Sequence, residues 1–275
     1  MPWRLWRRDL VREVLGNDAS FRLLCSLAAA TEARNGRENR RIAALVPEGR
    51  RDLAPAMARF GDLEERHARL LAALPAARGL EPVEVPPGAD HAALLERRGG
   101  CLAHAKLRRG EPLNERDVIA HLAHGHVASA RAAAWLAVLA GHAAGHPGAG
   151  RAVREVSRTK REHLAWCREE LLRFARAGHG AAVDLVLREN ALAEIRAHRD
   201  AGLAVLAHTG HLLGWRMTRS VALEARVQAR YAYERLAGWR RAVRLDPPAP
   251  GAARAVPGSA PGTAPERAAT ASPGA

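Results

Sequence analysis

The most informative segment of the sequence is Phe60-Gly-Asp-Leu-Glu-Glu-Arg-His-Ala-Arg-Leu-Leu-Ala-Ala-Leu74. Within it Glu64 and His67 are three residues apart, so on a helix they share one face and lie one turn apart. At that spacing a carboxylate oxygen and an imidazole nitrogen can reach one metal ion. Such a pair also arises by chance in helices rich in Arg and Glu. Its meaning depends on whether the chain supplies a partner Glu on the preceding helix and a second copy of the pair.

The composition favours a helical protein. Ala, Leu and Arg dominate the 275 residues and aromatic residues make up only 4 %, a balance that favours helices over strands. The net charge is +14, but lysine occurs only at Lys106 and Lys160. An excess of arginine over lysine is typical of a GC-rich genome. Nucleic acid is therefore a partner suggested by charge alone, with no DNA-binding motif to support it.

The cysteines and the N-terminus bear on localisation. Cys25, Cys101 and Cys167 are odd in number and widely spaced, so they form neither a disulfide framework nor a zinc site and favour free thiols in a reducing cytoplasm. No apolar signal region follows the basic N-terminus, and no uncharged apolar run of about 18 residues occurs. We therefore expect a cytoplasmic protein without a membrane span, compatible with a homodimer.

Glycine and proline divide the chain into helices. Breakers near residues 47–49 and 145–147 separate the arms of two long helical hairpins, at 19–78 and 115–177. A rigid, extended segment, Glu81–Gly88, makes the connection between the hairpins a long crossover. Two hairpins with one long crossover predict an all-α, ferritin-like four-helix bundle. The domain boundaries that we predict are a short N-terminal helix at 1–18, the bundle at 19–178, a C-terminal helical extension at 181–245, and a disordered Pro/Ala/Gly tail at 246–275.

The register of the first hairpin identifies the partner Glu. Glu32 and Glu64 lie about 16 residues before and after the turn, so the two are level. Glu38 would lie roughly 9 Å away from that level, because a helix rises about 1.5 Å per residue. Glu32 is therefore the better candidate for a metal ligand.

An internal repeat links the two hairpins. Overlaying His67 on His163 places Lys160 opposite Glu64. The second hairpin repeats the histidine, but an amine stands where the carboxylate would recur. An ammonium a few ångströms from a metal ion repels it, and the repulsion grows where water is excluded.

These elements resemble ferritin-like di-iron proteins of the bacterial rubrerythrin and hydroxylase kind. In that class a Glu on helix one and Glu-x-x-His on helix two recur on helices three and four. Leu63-Glu-Glu-Arg-His-Ala-Arg-Leu-Leu71, followed by Gly79-Leu-Glu-Pro-Val-Glu-Val-Pro86, is similar to the end of helix two. His126-Val-Ala-Ser-Ala-Arg-Ala132 resembles a His-Val-Ala-Glu-x-Arg-Ala pattern, with Ser129 at the Glu position. Arg158-Thr-Lys-Arg-Glu-His-Leu164 resembles Arg-Asp-Glu-x-x-His-Leu, with Lys160 at the Glu position.

The resemblance implies an Fe or Mn site that is only partly retained. A complete site has four carboxylates and two histidines around two cations, and this chain has lost two of the carboxylates. The ligands that the resemblance implies are Glu32, Glu64, His67 and His163, and the degenerate ligand positions are Ser129 and Lys160.

Three interpretations of the site stay open. In the first, Lys160 replaces the metal and forms an ionic cluster with Glu32 and Glu64, because two buried carboxylates without a cation would be costly. The small Ser129 leaves room for the lysine. In the second, one metal survives on the four remaining ligands, Lys160 turns away, and His126 is a further candidate ligand, although we expect it to be an ordinary polar position.

The third interpretation shifts the helices by one residue. Glu162 or Glu155 then serves as a ligand, although Glu162 lies about 100° around the helix from His163 and cannot easily share a metal with it. The order of preference is a metal-free remnant, then a mononuclear site, then an intact di-metal site.

Other polar and aromatic positions have ordinary expected roles. Glu194 and His198, four apart on a later helix, could bind a metal, but we expect a solvated face. Trp135 and Trp166 lie near the ligand faces of the second hairpin, and we expect core packing rather than electron transfer.

The function hypotheses follow from these interpretations. The first is a metal-poor, non-catalytic homologue of the di-iron class. The second is an oxidoreductase or hydroxylase that uses a reduced Fe or Mn site with O2. The third is a basic helical module that binds nucleic acid or a protein partner through helices 181–240. No phosphate-binding loop, Ser/His/Asp set or Cys-x-x-Cys is present, so nucleotide and hydrolase chemistry has no support.

Overall fold

Helices make up most of the chain that the structure describes, which is residues 3–98, 104–143 and 147–245 of a computed structural model, and no strand occurs in these ranges. In chain order the α-helices are α1 (Trp3–Gly16), α2 (Asp18–Leu45), α3 (Ala54–Ala76), α4 (His91–Arg97), α5 (His104–Arg109), α6 (Glu115–Ala140), α7 (Pro147–Phe174), α8 (Gly180–Leu212), α9 (Met217–Tyr233) and α10 (Trp239–Ala242). The prediction of an all-α protein is confirmed.

Local sequence signals account for the ends of the long helices. The Asn17 side chain accepts a hydrogen bond from the backbone of Ser20 and caps α2. Asn114 and Asp117 form a reciprocal capping box at the start of α6. Gly178, with φ of 98°, ends the α7 arm in a left-handed conformation that favours glycine. The helices therefore begin and end within a few residues of the predicted positions.

Helices α2 and α3 form the first hairpin and pack closely along their length. Two glycines permit this approach. A Cβ on Gly36 would lie 2.8 Å from the carbonyl oxygen of Gly61, and a Cβ on Gly61 would lie 2.9 Å from that of Gly36. Neither position can therefore hold a larger residue without moving the backbones apart.

Helices α6 and α7 form the second hairpin, and α7 also packs on α3. Helix α8 packs along α6 and shares its core, so the predicted C-terminal extension lies against the second hairpin. The core residues that are almost fully buried include Ile42, Met57, Phe60, Ile119, Leu122, Leu171, Phe174 and Leu187. Within the described ranges, no helix combines the length and the apolar character that a membrane crossing requires.

Two predictions concern residues beyond those described. Cys101 and the tail 246–275, predicted to be disordered, both lie outside the described ranges. The two other cysteines, Cys25 and Cys167, are buried free thiols.

Candidate functional site

The two hairpins bring the predicted site residues together in the interior. Helix α2 supplies one carboxylate, α3 supplies a carboxylate and a histidine, α6 supplies a serine, and α7 supplies a lysine and a histidine. Each of these residues is at most 6 % exposed, and they are Glu32, Glu64, His67, Ser129, Lys160 and His163.

Lys160 is the centre of the cluster. Its Nζ donates hydrogen bonds to Glu64 Oε1 at 2.7 Å and lies 2.9 Å from Glu32 Oε1. The ammonium therefore bridges the two carboxylates that the sequence places level with each other. This contact geometry is the one expected if Lys160 forms an ionic cluster with Glu32 and Glu64.

His67 extends the cluster beyond Glu32. Its Nδ1 donates to Glu32 Oε2 at 3.2 Å, and its Nε2 lies 3.3 Å from the hydroxyl of Thr159. These two contacts fit an imidazole with its proton on Nδ1 and a threonine hydroxyl that donates to Nε2. The histidine thus binds a cluster carboxylate directly and is held in place from its other side.

Asn39 and His121 extend the cluster beyond Glu64, and sequence reasoning missed both. Asn39 Nδ2 donates to Glu64 Oε2 at 2.6 Å, and His121 Nε2 donates to Asn39 Oδ1 at 2.9 Å. Burial lowers the pKa of His121 to about 3, so this imidazole is neutral. One signal was available, because Asn39 follows Glu32 by two helical turns and therefore lies on the same face of α2.

His163 contacts the cluster more loosely. Its Nδ1 lies 3.3 Å from Ser129 Oγ and 4.0 Å from Glu64 Oε1, and its ring packs on Phe60 with centroids 4.5 Å apart. Burial, together with the charge of Lys160, holds the pKa of His163 well below its usual range. Nε2 of this neutral ring has no hydrogen-bond partner among the described residues.

The charges in the cluster do not balance, and the two carboxylates respond differently. Burial alone would raise the pKa of Glu32, but the Lys160 charge and the hydrogen bond from His67 lower it. For Glu64, burial outweighs Lys160, and the neighbouring Glu32 adds to it, so its pKa is raised. Burial opposes the charge on Lys160, yet the two carboxylates raise its pKa above the usual value. The lysine is therefore a stable cation, and Glu64 is the carboxylate that takes up a proton first.

The donor set does not fit a di-metal centre in this arrangement. Both carboxylates that would bind metal hold the Lys160 ammonium, whose charge would repel a metal cation. Ser129, at the position where the resemblance predicts a carboxylate, contributes a hydroxyl. Across the described part of the chain, no group of three or more His, Cys, Asp or Glu side chains is arranged to hold a metal ion.

The other candidate ligands lie away from Lys160. His126 is buried and interacts with the backbone of Ala242 and Arg244, and burial lowers its pKa to about 4. Glu155 forms an ion pair with Arg66, and Glu162 lies closest to Arg59 on the exposed side of α7.

Glu38 lies outside the cluster but is influenced by it. Burial raises its pKa to about 7, against the lowering effect of Arg34, and the charge of Glu64 contributes to the rise. Glu32 rather than Glu38 makes the contact with Lys160, as the register of the hairpin predicts.

The prediction of a solvated face at Glu194 is wrong. Glu194 is 3 % exposed and lies 3.2 Å from both His91 Nε2 and Arg131 Nε. Arg131 also binds Glu234, at 3.1 Å. The crossover helix α4 brings His91 back against α8, which no periodicity within α8 alone could reveal. His198 is exposed, as expected.

The prediction of core packing is confirmed for Trp166 and wrong for Trp135. Trp166 packs beside the cluster, with its ring centroid 5.4 Å from that of Phe60 and 6.0 Å from that of His163. Trp135 is 46 % exposed. It lies beyond Ser129, which is the last buried residue of α6.

No family model, no curated protein and no solved structure matches this chain. What is known of the protein's chemistry therefore comes from the geometry of its own residues.

Proposed function

We propose that this protein is a ferritin-like helical bundle whose di-metal site has been replaced by a buried ionic cluster, and that it acts as a metal-poor, non-catalytic homologue. The observation that carries the proposal is the position of Lys160. Its ammonium lies 2.9 Å and 2.7 Å from the two carboxylates that would otherwise bind metal.

The arrangement of the hairpins supports the ferritin-like part of the proposal. Each hairpin contributes one x-x-x-His segment to the interior, Glu64 to His67 on α3 and Lys160 to His163 on α7. A long segment without hairpin pairing, between α3 and α6, connects the two. These are the parts that the di-metal class arranges around its metals, with an amine in the place of one carboxylate.

The energetics of burial support the metal-poor part. An ionised carboxylate in the interior is costly unless a cation or hydrogen-bond donors compensate it. Lys160 compensates one negative charge, and the remaining charge is shared by donors from His67 and Asn39. The two carboxylates therefore already have a resident cation and need no metal to remain buried.

For the protein to work as an oxidoreductase with one metal ion, the Lys160 side chain would have to change its position or its charge. The amine would have to turn away from Glu32 and Glu64 or lose its proton before a cation could approach both carboxylates. Those same carboxylates raise the pKa of Lys160, so loss of the proton is disfavoured. The cluster therefore favours the metal-poor protein over the oxidoreductase.

Metal analysis tests the proposal directly. The protein is purified from cells supplied with iron and manganese, and the metal content per chain is measured by mass spectrometry. We expect much less than one metal ion per chain. A content near two per chain would overturn the proposal, and a content near one would favour the oxidoreductase.

A pair of variants sharpens this test. The double variant Ser129→Glu/Lys160→Glu restores both carboxylates, and we expect it to bind more metal than the wild type. Ser129→Glu alone retains the ammonium and is the matched control, with no gain expected. Equal gains in both variants would mean that Lys160 does not exclude metal.

A further inference from the structure

An open groove with an arginine-rich wall runs along the outer side of the second hairpin. Its volume is about 790 Å³. Alanines of α6, among them Ala137, form one side of the groove. The other side is formed by α7, which contributes Arg151, Arg154, Arg158 and Arg161.

The four arginines form one line. They are spaced by three, four and three residues, so their side chains share one face of α7. From Arg151 to Arg161 this line is about 15 Å long. All four are exposed, and the face that they occupy is opposite the buried face that carries Lys160 and His163. The groove is therefore independent of the ionic cluster.

The positive charge of this line is largely uncompensated. Among the described residues, Arg151, Arg154 and Arg161 form no ion pair, and Arg158 has only a 3.9 Å approach to Glu162. Glu155, the acidic residue of the groove wall, is paired with Arg66 at 3.0 Å.

Arginines elsewhere in the protein show that pairing is available. Arg34, Arg50 and Arg98 each bind an acidic side chain, Asp90, Glu115 and Asp200 respectively, at 3.0 Å or less. Other exposed arginines, such as Arg12, Arg37 and Arg41, also form no ion pair among the described residues. The groove differs in that four arginines, three of them without an acidic partner, follow one another along a single face of α7.

We propose that this groove binds the phosphodiester backbone of nucleic acid without sequence preference. Guanidinium groups match phosphate oxygens in charge and in planar hydrogen-bonding geometry. A line of guanidinium groups about 15 Å long is long enough to contact several successive phosphates of one strand. The small alanines let a strand approach closely. No aromatic side chain lines the groove, so it offers bases no stacking surface and contacts the backbone instead.

The experiment compares two triple variants that remove the same charge. Arg151→Gln/Arg154→Gln/Arg161→Gln empties the groove of its unpaired arginines. Arg12→Gln/Arg37→Gln/Arg41→Gln removes three exposed arginines from α1 and α2 and is the control. Binding of labelled duplex DNA, single-stranded DNA and RNA is measured by fluorescence anisotropy over a series of salt concentrations.

For the groove variant we expect at least about a tenfold loss of affinity for duplex DNA at fixed salt. The slope of log affinity against log salt should fall by about 2.7, because each lost phosphate contact removes about 0.9. The control should lose much less of both. Single substitutions, Arg154→Gln and Arg161→Gln, should each lower the slope by about 1. They test the proposal independently if circular dichroism shows that the triple variant has unfolded.

Three results would overturn the proposal. The first is a wild type that shows no salt-dependent binding to any of the nucleic acids. The second is an equal loss of affinity in both triple variants, which would mean that only total charge matters. The third is tight binding of polyglutamate without binding of nucleic acid, which would identify the groove as a site for an acidic protein segment.

Discussion

The protein buries two ionic clusters, one centred on a cation and the other centred on a carboxylate. In the first, the cation Lys160 lies between two carboxylates, Glu32 and Glu64. In the second, the carboxylate of Glu194 lies between two cations, His91 and Arg131. The first joins three helices of the two hairpins, and the second joins the crossover helix α4 to α6 and α8.

In both clusters the protonation of a buried carboxylate depends on how many charged partners it has. Burial alone would raise the pKa of Glu194, but the charges of His91 and Arg131 lower it to about 2. Glu64 shares the ammonium of Lys160 with Glu32, and burial raises the pKa of Glu64. Two partners therefore hold Glu194 ionised, Arg131 and a His91 whose pKa is raised by Glu194 against the effect of burial. Glu64, in contrast, shares one cation with Glu32 and is easier to protonate.

Removing the central cation of the first cluster should have the largest effect. Lys160→Met keeps most of the side-chain volume but leaves Glu32 and Glu64 buried without their cation. We expect the free energy of unfolding at neutral pH to fall by about 3–5 kcal/mol, measured by equilibrium urea denaturation.

Two further variants control this prediction. Lys106→Met removes the other lysine, whose ion pair with Asp117 is partly exposed, and should cost only about 0–1 kcal/mol. Adding Glu64→Gln to Lys160→Met removes one of the uncompensated charges and should recover part of the loss. A cost of Lys160→Met no larger than that of Lys106→Met would contradict the cluster.

Removing the central anion of the second cluster should cost less. Glu194→Gln leaves two cations together, but Arg131 keeps its contact with Glu234 and His91 is partly exposed. We expect a loss of about 2–3 kcal/mol in the same measurement. The exposed Glu224 of α9 provides a matched control, because Glu224→Gln should change stability by no more than about 0.5 kcal/mol. Equal effects of the two substitutions would show that burial of Glu194 contributes nothing.

The sequence allowed the first cluster to be predicted because its geometry follows from a single hairpin and its repeat. The distance from the turn made Glu32 level with Glu64, and the overlay of His67 and His163 placed Lys160 opposite them. The rise and periodicity of a helix are enough to place Glu32 level with Glu64. That Lys160 faces them also depends on the resemblance to a ferritin-like four-helix bundle.

The second cluster could not be predicted in the same way. Glu194 contacts His91, which is about a hundred residues away in the chain, and the path of the crossover decides whether they meet. Periodicity within one helix describes which residues share a face, but not which other element covers that face. Asn39 and His121 were not predicted as members of the first cluster for a related reason. A polar side chain on a buried helix face indicates a site only when its hydrogen-bond partner on another helix is known.

The pH dependence of stability should have opposite signs for Glu194 and Glu64, and measuring it gives the most detailed test of how the two clusters differ. For Glu194, whose folded-state pKa is lowered to about 2, the stabilisation is present above the ordinary Glu value and is lost as pH falls towards the folded value. Most of the destabilisation caused by Glu194→Gln should therefore disappear between about pH 5 and about pH 2.

For Glu64, whose folded-state pKa is raised, the linkage runs the other way. The ionised carboxylate destabilises the folded protein above that raised value, and the cost is relieved as pH falls from there to the ordinary Glu value. The wild type should thus gain stability relative to Glu64→Gln over that interval, as measured by urea denaturation at a series of pH values. Differences of the same sign for Glu64→Gln and Glu194→Gln would contradict the assignment of one shared cation to two carboxylates in the first cluster and of two positively charged partners to Glu194 in the second.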